Sequence, residues 1–474
     1  MATSVNDYSD VARPTTIEEI SDILSATVKR DKPTKIITFL TMLTAYTDQD
    51  QGNICFQAES STGKSYIPLE LSQLFPEEDL MILASASPTA FFHDAGFYNK
   101  ETKQIWVDLE RKILIFLDQP HFMLLERLRP LLSHDKKELH YKITDKTTKG
   151  GIRTKNVIIV GFPVVLFCSS RMNPDEQEKT RFFLLSPETS QDKLRDSIFL
   201  LAKKIGNRKL FQNKLDEDPR RTWLKTRVDA IKKAGIENII IPDEDKIAQR
   251  FLQTHLYLSP RQQRDFPRLM ALIKAHALLN WAHREKTDDC TIIANEDDVD
   301  VAFKLYEEVA KPNELGVAPQ IYEIYQNVIA PLLNDGAEVT RQSVADAYYR
   351  LYRRVIPDWR LRQEVIPQLC QAGLIGEKEN PNNRREKVLY TPVSLTISSG
   401  EYSEKNTGAT PPDKGLIERL EAYIAERHSV GYQRVMSDLG LTLEQLHRLV
   451  ASSKRLVWGS GREDLNWRGV SYVE

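Results

Sequence analysis

From Asn53 onward, short apolar runs alternate with helical stretches, and no other feature of the chain restricts its fold as much. Ile54–Gln57, Leu80–Ala84, Ile113–Leu117 and Val164–Cys168 are each four or five residues long. Runs this short are strands rather than helices, and their continuous apolar character suits strands covered on both faces. Interleaved with helices, they predict an α/β layer around a mainly parallel sheet that ends near Pro187. The longest apolar run, Val157–Cys168, has 12 residues and includes Gly161 and Pro163, against the ~20 that a membrane-spanning helix needs. No membrane partner is expected, and the acid-bearing first 30 residues hold no apolar core of signal-peptide type. The four cysteines, Cys55, Cys168, Cys290 and Cys370, have no CxxC spacing. They read as small buried hydrophobes, not as a disulfide framework or a zinc site.

The first run leads directly into Ala58, Glu59, Ser60, Ser61, Thr62, Gly63, Lys64 and Ser65 (AESSTGKS). This is the phosphate-loop pattern, with Ala58 where the first glycine usually stands. A strand-to-helix turn of this kind aims backbone N–H groups into a concavity that stabilises phosphate oxygens. Lys64 adds a point charge for the β and γ phosphates, and the Ser65 hydroxyl a ligand for Mg²⁺. The run Ile113–Asp118 ends in an acid that suits the same metal through water. Gln119 follows it. Transfer to water wants a carboxylate there, because an amide orients the nucleophile but is a poor base. Glu59 and Glu126 are the candidates for the missing carboxylate.

The remaining chain divides by pattern. Residues 1–50 form a helical segment, with helices over Thr15–Ser25 and Lys35–Tyr46; 51–190 form the nucleotide-binding core; 191–312 are helical, broken at Gly235, Pro242 and Pro260. In 313–397, helices at Ile321–Leu333, Arg341–Val355 and Trp359–Ala372 precede two extended runs around a Pro-Asn-Asn turn, which is the winged-helix pattern. Residues 398–414 are Gly-, Pro-, Ser- and Thr-rich and read as a linker, and 415–474 as a second small helix-turn-helix unit. Arg360 and Arg362 fall on the candidate recognition helix, and Arg384, Arg385 and Lys387 on the wing, where they would contact DNA.

Taken in order, these parts resemble the AAA+ core of the minichromosome-maintenance replicative helicases and their mobile-element relatives, over roughly 51–311. The resemblance implies ATP and Mg²⁺ as cofactors, a helical lid over an αβα core, and a hexameric ring. It makes Phe97–Leu109 (FYNKETKQIWVDL) a hairpin insert before the metal-binding strand. It also implies a second, pre-sensor hairpin with arms at His140–Ile143 and Val157–Val160 and with Lys146, Lys149, Arg153 and Lys155 towards its tip. In CSSRMNP, Ser169 or Ser170, with Asn173 as a third candidate, becomes the sensor of the γ-phosphate. KTRFFLL makes Arg181 the arginine finger, which reaches a neighbour's nucleotide. SPRQQRDFPRLMALIKAHALLN makes Arg264 the second sensor arginine, with Arg261 as runner-up, while His276 in that apolar helix is packing. The large N-terminal collar of that family has no counterpart in the 50 residues before the core.

A net charge of -2 speaks against a nucleic-acid partner only if charge is spread evenly. Windows 136–155, 199–233 and 341–387 together hold 28 basic and 12 acidic residues, leaving 37 basic and 55 acidic elsewhere. The expectation is an ATP-driven DNA motor acting in replication, cytoplasmic and, in a prokaryote, nucleoid-associated. The alternative is an ATP-gated DNA-binding regulator or initiator with slow or no hydrolysis.

Overall fold

The computed structural model describes residues 8–84, 96–99, 104–145, 153–169, 181–255, 258, 261–335, 338–380, 383–392, 414–427, 429–439, 446, 449–450, 455–459 and 469–472. Two compact units are present, Met1–Leu395 and Thr396–Glu474.

The first unit is built on a five-stranded parallel sheet. Its strands are β1 (Asn53–Gln57), β2 (Leu80–Leu83), β5 (Ile113–Phe116), β8 (Val164–Ser169) and β9 (Phe183–Leu185), in the order β2-β5-β8-β1-β9. β1, β5 and β8 are buried along their whole lengths, which is why the sequence shows unbroken apolar runs. Alternate residues serve the two faces. Ile54, Phe56, Ile113, Ile115, Val164 and Leu166 face a core shared with the N-terminal and later helices. Cys55, Leu114, Phe116, Val165 and Phe167 face α4 (Phe122–Leu132) and a second sheet. Cys55 and Cys168 are buried as expected, but Cys290 is exposed and Cys370 half-buried.

β9 has no counterpart in the sequence reading, and the two hairpins expected there separately are joined into a second sheet. β3 (Phe97–Asn99) and β4 (Gln104–Asp108) form one antiparallel hairpin, and β6 (Glu138–Asp145) and β7 (Arg153–Val160) another. β4 also pairs with β7 in parallel, joining the hairpins in the order β3-β4-β7-β6. One side of this sheet carries Ile105, Val107, Leu139, Val157 and Ile159 into the core. On the other, Phe97 and Trp106 stand opposite each other in the ladder and are 74% and 36% exposed.

The N-terminal helices α1 (Ile17–Leu24) and α2 (Lys32–Leu43) share the first core with the helices beyond the sheet. Thr16 caps α1 by accepting from the Glu19 N–H, and α3 (Tyr66–Ser72) follows the phosphate loop. After β9 come α5 (Gln191–Gly206), α6 (Arg208–Asp216), α7 (Pro219–Ala234), α8 (Glu244–Gln253), α9 (Gln262–Leu279) and α10 (Glu296–Leu315). Asn313 of α10 covers the outer edge of β9, accepting from Leu184 N–H at 2.7 Å and donating to its carbonyl at 3.0 Å. An edge strand of three residues is thereby kept from further pairing. His276 is structural, as expected: its Nδ1 lies 2.5 Å from Asp298 Oδ1, and Arg284 supplies that carboxylate with two more hydrogen bonds. Burial pushes the Asp298 carboxyl up, but these donors outweigh it and hold the group below its ordinary range.

Residues 317–390 add helical stretches at 319–334, 341–352 and 358–371 and a three-stranded antiparallel sheet, β10 (Val339–Thr340), β11 (Gly376–Asn380) and β12 (Asn383–Tyr390), around a core of their own. In the second unit, helices Lys414–Ala425 and Tyr432–Leu439 accompany three antiparallel strands at Ser429–Gly431, Leu456–Gly459 and Gly469–Tyr472. The sequence reading had no strands there. No helix among the described residues is long and apolar enough to cross a membrane.

Candidate functional site

Parallel strands bring their carboxyl ends to one edge, and the sheet order places three such ends side by side. Gln57 of β1 lies in register with Ser169 of β8, and Phe116 of β5 with Phe167 of β8. The chain therefore delivers Ala58–Ser65, Asp118–Gln119 and Ser169 to a common place. Ser65 Oγ sits 3.4 Å from the Leu117 carbonyl, and the Cys168 thiol reaches the Lys64 carbonyl at 3.4 Å. Burial pushes that thiol up to about 11, so it remains protonated.

The loop between β1 and α3 owes its shape to two left-handed residues, Ser61 at φ 67° and Gly63 at φ 96°. Nothing lies within 4 Å of where a Gly63 Cβ would be, so the backbone angle and not crowding calls for glycine there. Ala58 is fully buried and has no positive φ, which explains why the usual first glycine is dispensable. Thr62 Oγ1 donates to the Glu59 carbonyl, and Lys64 Nζ rests on the Ala58 and Glu59 carbonyls at 3.2 and 3.5 Å. Lys64 thus lies curled over the loop whose concavity suits a phosphate, beside Ser65 and the exposed Asp118. Ser65 and Asp118 offer hard oxygen ligands of the kind Mg²⁺ takes. The residues therefore fit a Mg²⁺–triphosphate.

Gln119 is tied to both Asp118 and Ser169. Its N–H donates to Asp118 Oδ1 at 2.8 Å, and its side-chain Oε1 accepts from Ser169 Oγ at 2.9 Å. Of the two proposed carboxylates, Glu126 is exposed on α4. Glu59 is already engaged, because its carboxylate pairs with Arg360.

Arg360 corrects the sequence reading, which placed it on a DNA-contacting helix face. It lies in the 358–371 helical stretch but is 6% exposed and turned to the phosphate loop. Its register on that helix packs it inward, whereas Arg362 is exposed. From the same region, Gln320 Oε1 accepts the Glu59 N–H at 3.4 Å. Residues some 260 and 300 positions downstream complete the loop's surroundings, and no spacing in the sequence announced them.

Arg264, the candidate second sensor arginine, lies away from the chain's own phosphate loop. It lines a cavity of about 620 Å³ together with Asp50, Asn53, Ser133, Arg181 and Phe183. That cavity lies at the amino-terminal edge of β1 and β9. Five residues of strand separate the two edges by roughly 16 Å, beyond the reach of an arginine side chain. Arg181 donates from Nε to Ser133 Oγ at 3.0 Å. Arg261, the runner-up to Arg264, is mostly buried and lies 3.9 Å from Asp265. The two arginines read as finger and second sensor thus share one cavity, remote from Lys64. Arg153 and Lys155 lie in β7, and Arg384 and Arg385 in β12. Lys146, Lys149, Ser170 and Asn173 fall outside the described residues.

Sheet order, loop and converging side chains define a parallel α/β fold compatible with a phosphate-loop NTPase core. No protein-family model and no curated protein matches the chain. Among solved structures it is similar to a putative ATPase from Cytophaga hutchinsonii, at 14% identity and a TM-score of 0.32, over 60% of this chain and 84% of that one. At that distance nothing about this chain's activity follows from the likeness.

Proposed function

We propose that the chain is an ATPase of the AAA+ class that works on DNA as a ring-forming motor, related to the minichromosome-maintenance helicases and acting in replication. The observation that carries the reading is the convergence of Lys64 and Ser65, Asp118 and Gln119, and Ser169 at the carboxyl ends of β1, β5 and β8. Lys64 would bind the β and γ phosphates of ATP, and Ser65 and Asp118 would hold a Mg²⁺ that supplies charge neutralisation at the phosphates. Gln119, oriented by the Ser169 hydroxyl, positions the attacking water. Arg181 and Arg264, facing away from their own loop, fit a neighbour's nucleotide across a ring interface. Exposed Ile198, Phe199 and Ile205 on α5 add apolar surface for such a neighbour.

For DNA, the paired Phe97 and Trp106 rings offer a stacking surface for unpaired bases, beside the exposed Lys142 on the same sheet. Lys146, Lys149, Arg153 and Lys155 are the candidate phosphate contacts that the family resemblance implies. The 317–390 region reads as a winged helix, with the exposed Arg362 as a candidate duplex contact and Arg384 and Arg385 on its wing. Phe97→Ala with Trp106→Ala is expected to weaken single-stranded DNA binding by ~1–3 kcal/mol per stacked base and to leave ATP binding unchanged, as anisotropy titration would register.

Gln119 favours a second reading, an ATP-gated DNA-binding regulator with little turnover. ATP binding and hydrolysis, measured with and without single-stranded DNA, separate the two. Turnover stimulated by DNA supports the motor; tight binding with background turnover supports the switch. Lys64→Ala should cost about tenfold or more in ATP affinity. Wild-type affinity in that variant overturns the site itself.

A further inference from the structure

Arg360 is a buried cation with too few partners. Its Nη1 meets one oxygen of Glu59, its Nε lies 3.7 Å from Glu364, and its Nη2 has no hydrogen-bond partner. Glu59 is a half-exposed residue of the phosphate loop, and its carbonyl is one of the two on which Lys64 Nζ rests. Glu59 therefore lies at the end of the loop that Lys64 serves, where the terminal phosphates of a triphosphate belong.

Charge decides what happens when a nucleotide arrives. A triphosphate brings several negative charges beside the Glu59 carboxylate, and like charges at short range in a partly dry site repel strongly. A planar guanidinium with five donors suits phosphate oxygens better than the single-point contact it has here. Gln320 meanwhile ties the Glu59 N–H to the same downstream region, so a shift of the loop is felt there.

We propose that Arg360 is a nucleotide-binding residue supplied in cis by the 317–390 region, that Glu59 occupies it as a resident anion, and that the terminal phosphate of ATP displaces Glu59. The exchange makes that region a reporter of whether a triphosphate or a diphosphate is bound. It rests on the ATP-site reading given above.

The test uses the full chain, Mg²⁺, ADP and a non-hydrolysable ATP analogue, with affinities from calorimetry. Arg360→Gln should weaken the triphosphate by about tenfold or more while leaving ADP within about twofold, and Arg360→Lys should restore part of the difference. Glu59→Gln, which alters only a half-exposed side chain, should tighten the triphosphate severalfold by removing the competing anion. Hydrogen exchange over 358–371 should change with the triphosphate and not with ADP. Equal losses for both nucleotides in Arg360→Gln, or a weaker triphosphate in Glu59→Gln, overturn the inference; the second result decides the matter should Arg360→Gln fail to fold. If wild type binds neither nucleotide, the ATP-site reading falls and takes this one with it. If wild type binds both and loses them in Lys64→Ala, unchanged discrimination in the Arg360 and Glu59 variants sinks the exchange alone.

Discussion

Arg227→Ala is expected to lower the stability of the first unit by about 3–5 kcal/mol, the cost of leaving buried polar groups without their charged partner. Arg227 lies on α7 and is fully buried. Its Nε and Nη2 donate to the Leu279 carbonyl at 3.0 and 2.6 Å, and its Nη1 donates to the carbonyls of Val11 and Arg13, each at 2.7 Å. Trp223 and Trp281 flank the guanidinium at 5.1 and 5.2 Å. Burial pushes its pKa down to about 10, so the group keeps its charge at neutral pH. Alanine removes the donors and leaves those acceptors dry. With total stabilities of the order of 5–15 kcal/mol, such a loss moves a urea midpoint far, and the adjacent tryptophans report it by fluorescence. Arg227→Lys should fall between the two, because an ammonium cannot span all three carbonyls. A midpoint unchanged in Arg227→Ala would show that the N-terminal segment is not held this way.

Arg227 also illustrates what a sequence withholds. Its neighbourhood reads as a basic helical stretch, and nothing in the spacing marks one cation in it as the tie between residues 11–15 and the end of α9. The central strands were legible because burial on both faces leaves runs such as ILIF and VVLFC without polar interruption. β9 was not, since its three residues lie next to Arg181 and read as part of an arginine-bearing turn. The two hairpins were expected from the family resemblance, but their union through β4 and β7 depends on a parallel pairing between segments some 50 residues apart, which local pattern does not encode. The phosphate loop and Asp118 were legible because they are contiguous and each follows a strand. Arg360 and Gln320 were not, because a side chain brought from a distant helix leaves no trace near the loop. The position of Arg264 was not legible, because the edge of the sheet it serves is set only by how α9 packs.

Gln119→Glu is expected to raise single-turnover ATP hydrolysis by on the order of 10²–10⁴-fold, the usual contribution of a positioned general base. The substitution is nearly isosteric, and the Ser169 hydroxyl that donates to the amide oxygen at 2.9 Å can donate equally to a carboxylate oxygen. The side chain should keep its place while gaining the proton affinity that an amide lacks. Asp118, which already accepts from the residue 119 N–H at 2.8 Å, is a second negative charge nearby and should raise the pKa of the new carboxyl, improving it as a base near neutrality. In a chain without Mg²⁺ the same pair of carboxylates would repel, so the gain should appear only with the metal present and should vanish in the Lys64→Ala background. Rapid quench of a single turnover removes product release from the comparison. A rate unchanged from wild type would mean that water is activated from elsewhere, with Glu126 the next residue to test; a large increase would support the proposed ATP site and mean that hydrolysis in the native chain is slow because an amide stands where a base would act.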